Sequence, residues 1–316
     1  MTCLGYAVPQ PYPFVLIGYF PSVTTFVRRM LAAAALGAAL AGCGTGSTDG
    51  GTGSGGDGAA SRRSPSAPAP STPAAPPAAP APAPTIAAGP GGLTPVFERA
   101  RTKGGDKVVA LTFDADMTAD QGPRAARGEH FDNPRLIASL RKWKVPSTVF
   151  MTGRWAEEYP DQARSIGTDP LFEIANHSYS HHAFSSPCYG LPTVGPKAMK
   201  ADVDRAFAAF RAAGAVNVVP YFRFPGGCYD DRALRSLAPA KVTAVQWDVV
   251  SGDAFATDAD AVAEQVLAGV RPGSLVVMHC TRSAAPTTEK ALRRVVPELR
   301  KRGYRFVKVS DLIARG

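Results

Sequence analysis

The chain has 316 residues, 45% of them hydrophobic, and 35 Lys+Arg against 26 Asp+Glu give it a net charge of +9. That suffices for one large domain or two small ones. The basic residues are scattered, with no Lys/Arg run interleaved with aromatics; this argues against nucleic acid and for a solvated basic surface near an anionic wall or membrane.

In chain order, residues 1–43 read as an address. Arg28 and Arg29 precede MLAAAALGAALAGC, whose apolar run 31–42 is too short to cross a bilayer but has the charged and apolar regions of a secretory signal. Leu40, Ala41, Gly42 and Cys43 resemble the lipobox of bacterial lipoproteins, which implies a membrane anchor on the Cys43 side chain. An ordinary signal with a chance cysteine is the alternative. Residues 1–26 sit upstream of the Arg pair as a misassigned start would. Residues 44–92 then read as a disordered linker in two regimes, flexible GTGSTDGGTGSGGDG and stiffer SPSAPAPSTPAAPPAAPAPAP. The second, at about 3.1 Å per residue, could hold a domain roughly 60 Å from its anchor. Residues 93–316 form the expected globular domain; from residue 91 onward 31 Lys+Arg face 24 Asp+Glu.

From about residue 107 strand-like and helix-like segments alternate. KVVALTFD is apolar and β-like; NPRLIASLRKWK is a helix with Pro134 at its start; STVFM and LFEIAN are strands. GPKAMKADVDRAFAAFRAAG is a long helix closed by Gly214. Then follow YFRFP, a helix near DDRALRSLA, the strand KVTAVQWDV, a helix over DADAVAEQVLAGV, the strand SLVVMH, a helix over TEKALRRVVPELRKRG and a last strand YRFVKV. About seven β/α units with short connections imply a parallel sheet. Asp114, Asp116, His177, Arg223, Asp248 or Asp253, and His279 all fall at or just past strand C-terminal ends, which favours a barrel over an open sheet.

HSYSH, residues 177–181, sets two imidazoles four apart, a spacing that on a helical turn points both to one side, as a metal site requires. His182 fits that face less well and is placed outside it. With one acid from another strand, two His make the three-ligand site of a catalytic metal, with a position left for water.

TFDAD (112–116), HSYSH (177–181), RFPGG (223–227), WDVVSGD (247–253) and LVVMH (275–279) occur in this order. Together they resemble the five motifs of the NodB-type polysaccharide deacetylases, carbohydrate esterase family 4. The resemblance implies a distorted (β/α)7-type barrel holding one divalent metal, usually Zn2+. It implies a hydrolase that removes acetyl groups from N-acetylated or O-acetylated sugars. Asp114 would be the catalytic base, held by Arg223; His177 and His181 would bind metal; His279 would be the general acid, oriented by Asp253. The chemistry is coherent: a base takes the proton of the attacking water, and an amine leaves poorly unless protonated.

The sequence departs from the family pattern. Ala115 stands where the family has a second, metal-binding acid, so Asp116, on the same strand face as Asp114, becomes the expected third ligand. A site of two His and water alone is the alternative. Val250 stands where the family often has Asp, Ala254 where it often has Trp, and Gly226 where it has Tyr, with Trp247 or Tyr229 as substitutes in the aromatic wall. Cys188 follows the His pair and Cys228 the Arg motif, both on the catalytic rim, so a Cys188–Cys228 bridge is expected, with Cys280 buried behind His279; three unpaired thiols are the alternative. The expected protein is a monomeric, lipid-anchored deacetylase of the outer face of the cytoplasmic membrane, acting on an N-acetylated envelope glycan, most plausibly peptidoglycan. The rivals are an acetylxylan-type O-deacetylase and a catalytically weakened glycan-binding lipoprotein.

Overall fold

Strand β2, Val108–Ala115, organises the domain because its alternation serves two cores at once. Val109, Leu111, Phe113 and Ala115 face an outer layer packed under helices, while Val108 and Ala110 face an inner cluster enclosed by the curled sheet. Every residue of the strand is buried, and burying each large apolar side chain contributes about 1.5–3 kcal/mol.

The computed structural model describes residues 82–315, within a compact unit spanning Ala75–Gly316. The signal and lipobox residues, and the linker up to residue 81, lie outside the described residues. Around β2 are arranged β1 (Val96–Phe97), β3 (Ser147–Met151), β4 (Phe172–Asn176), β5 (Val218–Phe222), β6 (Thr243–Val245), β7 (Val249–Val250), β8 (Ser274–His279) and β9 (Arg305–Phe306). All pairings are parallel, in the order β1-β6-β5-β4-β3-β2-β8-β7, and β9 pairs with the start of β2. Among the described residues β1 and β7 do not pair, so the expected distorted barrel is a half-barrel open along that seam. Register sets Asp114 opposite Phe150 on one side and His279 on the other.

The helices are α1 (Gly122–Ala125), α2 (Pro134–Trp143), α3 (Gly153–Glu158), α4 (Pro160–Gly167), α5 (Met199–Ala212), α6 (Asp231–Leu237), α7 (Ala259–Gly269), α8 (Thr288–Lys301) and α9 (Val309–Ile313). Helix α2 begins where the Asn133 side chain accepts from the Leu136 N–H and ends at left-handed Lys144. In α8 Ala291, Leu292, Val295, Val296 and Leu299 form the buried stripe. Helix α3 packs closely on α5 because Gly153 has no side chain: a Cβ there would lie 2.8 Å from the Ala206 Cα.

Four expectations are corrected. The run 241–249 is two strands, because Asp248 turns back to cap the start of β8, accepting from the Leu275 N–H at 2.7 Å and the Ser274 hydroxyl at 2.9 Å. The last strand stops at Phe306 and gives way to α9, whose Val309, Leu312 and Ile313 join the inner cluster. HSYSH is a loop after β4, not a helical turn. Residues 82–92, assigned to a disordered linker, lie against the domain: the Tyr221 hydroxyl donates to Pro84 O at 2.7 Å and the Ile86 N–H to the Thr243 hydroxyl at 3.2 Å.

Candidate active site

The C-terminal end of β2 delivers two carboxylates to one pocket because Ala115 between them turns outward into the helix-covered core. Asp114 is 4% exposed. Its Oδ1 accepts from the fully buried Arg223 guanidinium, just past β5, at 2.5 Å. Arg223 is fixed on other sides too: Nε donates to Val245 O at 3.2 Å, and the guanidinium lies over the Phe150 ring, 3.8 Å from its centroid. A charge pair so deep is tolerated because both partners are hydrogen-bonded.

Asp116 lies one residue past the strand. Its N–H donates to the Thr281 hydroxyl at 2.9 Å, which fixes the backbone, and its carboxylate points at the imidazoles. Oδ1 lies 3.3 Å from His177 Nε2 and 3.6 Å from His181 Nε2. His177 Nδ1 lies 2.9 Å from Arg223 O, an atom that can only accept, so Nδ1 carries the proton and Nε2 presents a lone pair to a carboxylate oxygen. Two acceptors face each other, and Asp116 Oδ1 is a buried oxygen without a hydrogen-bond partner. A cation held between them would satisfy both. Ligand atoms of Asp116, His177 and His181 all lie within 4.8 Å of one another, so the residues present fit a divalent metal.

The electrostatics agree. Burial alone would raise the Asp116 carboxyl, but the neighbouring imidazoles of His181, His177 and His279 hold it well below the usual carboxylate range. Burial would lower His177, yet the Asp114 and Asp116 carboxylates raise it. Burial pushes His181 down to about 4, so its imidazole is neutral and able to ligate. The two rings meet, 5.1 Å apart, through a loop with left-handed backbone at Ser178 (φ 68°) and His181 (φ 56°). Asp202 of α5 holds that loop by accepting from the Tyr179 N–H at 2.7 Å. Sequence reasoning missed Asp202; its place in the first turn of a long helix carries no signal.

On the other flank His279 ends β8. Its Nδ1 lies 2.7 Å from Asp253 Oδ1, which leaves Nε2 facing the pocket, 3.9 Å from Asp116 Oδ2. Asp253 is fixed by donors from the His279 N–H at 2.8 Å and the Thr288 hydroxyl at 2.6 Å. Burial would lower the His279 imidazole, but the Asp253 charge and hydrogen bond push it up to about 10. Of the two acids considered after β6, Asp253 is at the site; Asp248 is at the opposite end of β8.

The rim differs from expectation. Tyr229 is half-buried and stacked on Phe224, and Trp247 is half-buried against Gly227, so neither stands free. Among the described residues the exposed aromatics are Tyr189 and Phe255, 81% and 82% exposed, both with left-handed backbone. Tyr189 leans over Gly226, 3.3 Å from where a Cβ would stand, on a loop fastened by the Cys188–Cys228 disulfide. That bridge is as expected, and Cys280 is the buried free thiol, its pKa pushed up to about 12 by burial.

Residues 101–245 match the family model described as polysaccharide deacetylase. A chitooligosaccharide deacetylase from Sinorhizobium fredii is 30% identical over 198 residues, covering 60% of this chain and 86% of that protein. A peptidoglycan-N-acetylglucosamine deacetylase from Bacillus cereus is 26% identical over 210 residues, covering 66% and 89%. The solved structure of a peptidoglycan N-acetylglucosamine deacetylase shares the fold with a TM-score of 0.58 at 23% identity, covering 71% of this chain and 94% of that one.

Proposed function

The chain belongs to the polysaccharide deacetylase family, and from that premise we propose that it removes acetyl groups from an N-acetylated glycan of the cell envelope, peptidoglycan above all, by metal-dependent hydrolysis. The observation that carries the reading is the unpartnered Asp116 oxygen facing two imidazoles between a buried carboxylate, Asp114, and a half-buried imidazole, His279. Asp116, His177 and His181 would hold one divalent ion, zinc in this reading, which supplies a Lewis acid for the acetyl carbonyl and the attacking water.

The chain's own groups complete the reaction. Arg223 fixes Asp114 in direction, so that its free oxygen takes the proton of the attacking water. His279, kept protonated by Asp253, presents Nε2 to the departing nitrogen and gives it the proton without which an amine is a poor leaving group. The same geometry speaks against the catalytically weakened reading: in this proposal Asp116, beside both imidazoles, takes the role that Ala115 vacates. The lipid anchor at Cys43, the monomeric state and the envelope location remain part of this proposal. No helix among the described residues is long and apolar enough to cross a membrane, and a tether would supply the confinement. Acetate release from peptidoglycan, N-acetylglucosamine oligomers and acetylxylan, with and without chelator, tests the reading. Release from the N-acetylated glycans that stops with chelator and returns with added metal is expected; release from acetylxylan alone contradicts the substrate assignment.

A further inference from the structure

One loop, residues 280–287, has two sides. Inward, Thr281 receives the Asp116 N–H, and Thr288 at the loop's end holds Asp253. On its other side lies a cavity of about 310 Å³ walled by Arg282, Pro286 and Lys290 together with Arg135 and Arg293. The wall also includes Glu289, whose carboxylate accepts from Arg293 at 3.0 Å and from the Ser139 hydroxyl at 2.7 Å, so that one cation is answered. Arg135, Arg282 and Lys290 are exposed and, among the described residues, have no carboxylate within 4.0 Å. Three positive charges without a close ion-pair partner therefore converge on a concavity whose one carboxylate, Glu289, is already held by Arg293 and also feels Arg135. The first turns of α2 and α8 add their positive ends to the same wall. A concave wall of net positive charge concentrates anions, whereas the same charges scattered on a convex surface would be screened.

We infer that this cavity is a subsite for an anionic group, carboxylate or phosphate, carried by the glycan next to the sugar being deacetylated. The inference rests on the proposed glycan-deacetylase reading and narrows it: the substrate is an acidic glycan, and a neutral N-acetylated oligomer lacks one of its contacts. The planar guanidinium of Arg282 suits a bidentate oxyanion contact, and the loop that carries it also holds the backbone of Asp116, so the bound anion and the reacting acetyl group are registered by one segment.

The full-length protein is assayed for acetate release on peptidoglycan strands with free carboxylates, the same strands after carboxylate amidation, strands bearing phosphodiesters before and after phosphate removal, and neutral N-acetylglucosamine oligomers. The expected KM is about 5- to 10-fold lower for an acidic strand than for its neutralised counterpart at low ionic strength, and the advantage shrinks with salt. The step that abolishes the advantage identifies the anion as carboxylate or phosphate. Arg282→Gln with Lys290→Gln should erase the advantage while leaving kcat and KM on the neutral oligomer unchanged, and Arg282→Lys with Lys290→Arg should retain most of it. Equal KM on acidic and neutralised strands, or an advantage that survives the double Gln variant, overturns the inference. Titration calorimetry with the same strands reads the subsite without turnover, so affinity that ignores strand charge overturns it equally. Acetate release from none of the glycans, with charge-dependent binding intact, counts against the deacetylase reading and not against the subsite.

Discussion

Two charge pairs flank the candidate metal position, and they are built differently. Arg223 and Asp114 are sealed, their side chains 0% and 5% exposed, and Arg223 is locked from three sides. His279 and Asp253 are divided: Asp253 is 1% exposed, whereas His279 is 23% exposed and turns one nitrogen to the pocket. A base that meets only water can be held rigidly in the interior. An acid that must reach a departing group on a bulky glycan needs an open side. Burial thus separates the two proposed proton-transfer roles: the proposed base is held by an arginine from the protein interior, the proposed acid by a carboxylate behind it.

Breaking either pair at its reacting end should give the largest effect. Asp114→Asn and His279→Ala should each lower kcat by roughly 10²–10⁴-fold with little change in KM. Comparable losses in KM alone, measured by steady-state kinetics, would assign both residues to binding instead. The sealed pair carries stability as well. Arg223→Leu leaves a buried carboxylate unpaired and should destabilise the fold by about 3–5 kcal/mol in denaturant unfolding. Asp253→Asn should cost less stability than that, because His279 retains solvent contact.

The acid side should also respond to pH. With Asp253 present, the imidazole pKa sits at about 10, so activity that needs the protonated form falls only as pH rises towards that value. Asp253→Asn removes the charge that opposes burial, the His279 pKa falls, and the alkaline limb of kcat/KM moves to lower pH. A limb that stays in place would detach Asp253 from His279. The smallest effect is expected at the rim, where Tyr189→Ala and Phe255→Ala should each raise KM for glycan oligomers severalfold, within the roughly 0.5–1.5 kcal/mol of one aromatic contact, and leave kcat unchanged.

Much of this site is legible in the sequence because strand ends announce it. Asp114, Arg223 and His279 each follow a short apolar run, and parallel pairing brings such ends together. The joint position of His177 and His181 is not legible from spacing, since a loop with two left-handed residues does what a helical turn was expected to do. Nor is the break over Gln246, Trp247 and Asp248. The β-prone run KVTAVQWDV carries no Gly or Pro to interrupt it and reads as one strand, and only the third dimension shows Asp248 capping β8. Tyr189 and Phe255 lie on irregular loops, where no periodicity marks an aromatic as free. The cavity beside Arg282 joins residues from 133 to 293, and scattered basic residues give no hint that three of them converge.

The account depends most on the claim that Asp116 binds the metal while Asp114 moves the proton, across the gap that Ala115 leaves. Metal content of purified wild type, Asp114→Asn and Asp116→Asn, followed through a chelator titration, measures this directly. Asp114→Asn should hold metal like the wild type while nearly inactive. Asp116→Asn should release it at lower chelator concentration and regain part of its activity in excess metal, because an amide oxygen is a poorer ligand than a carboxylate. Metal held by Asp116→Asn as tightly as by the wild type would contradict the assignment, and loss from Asp114→Asn alone would reverse it.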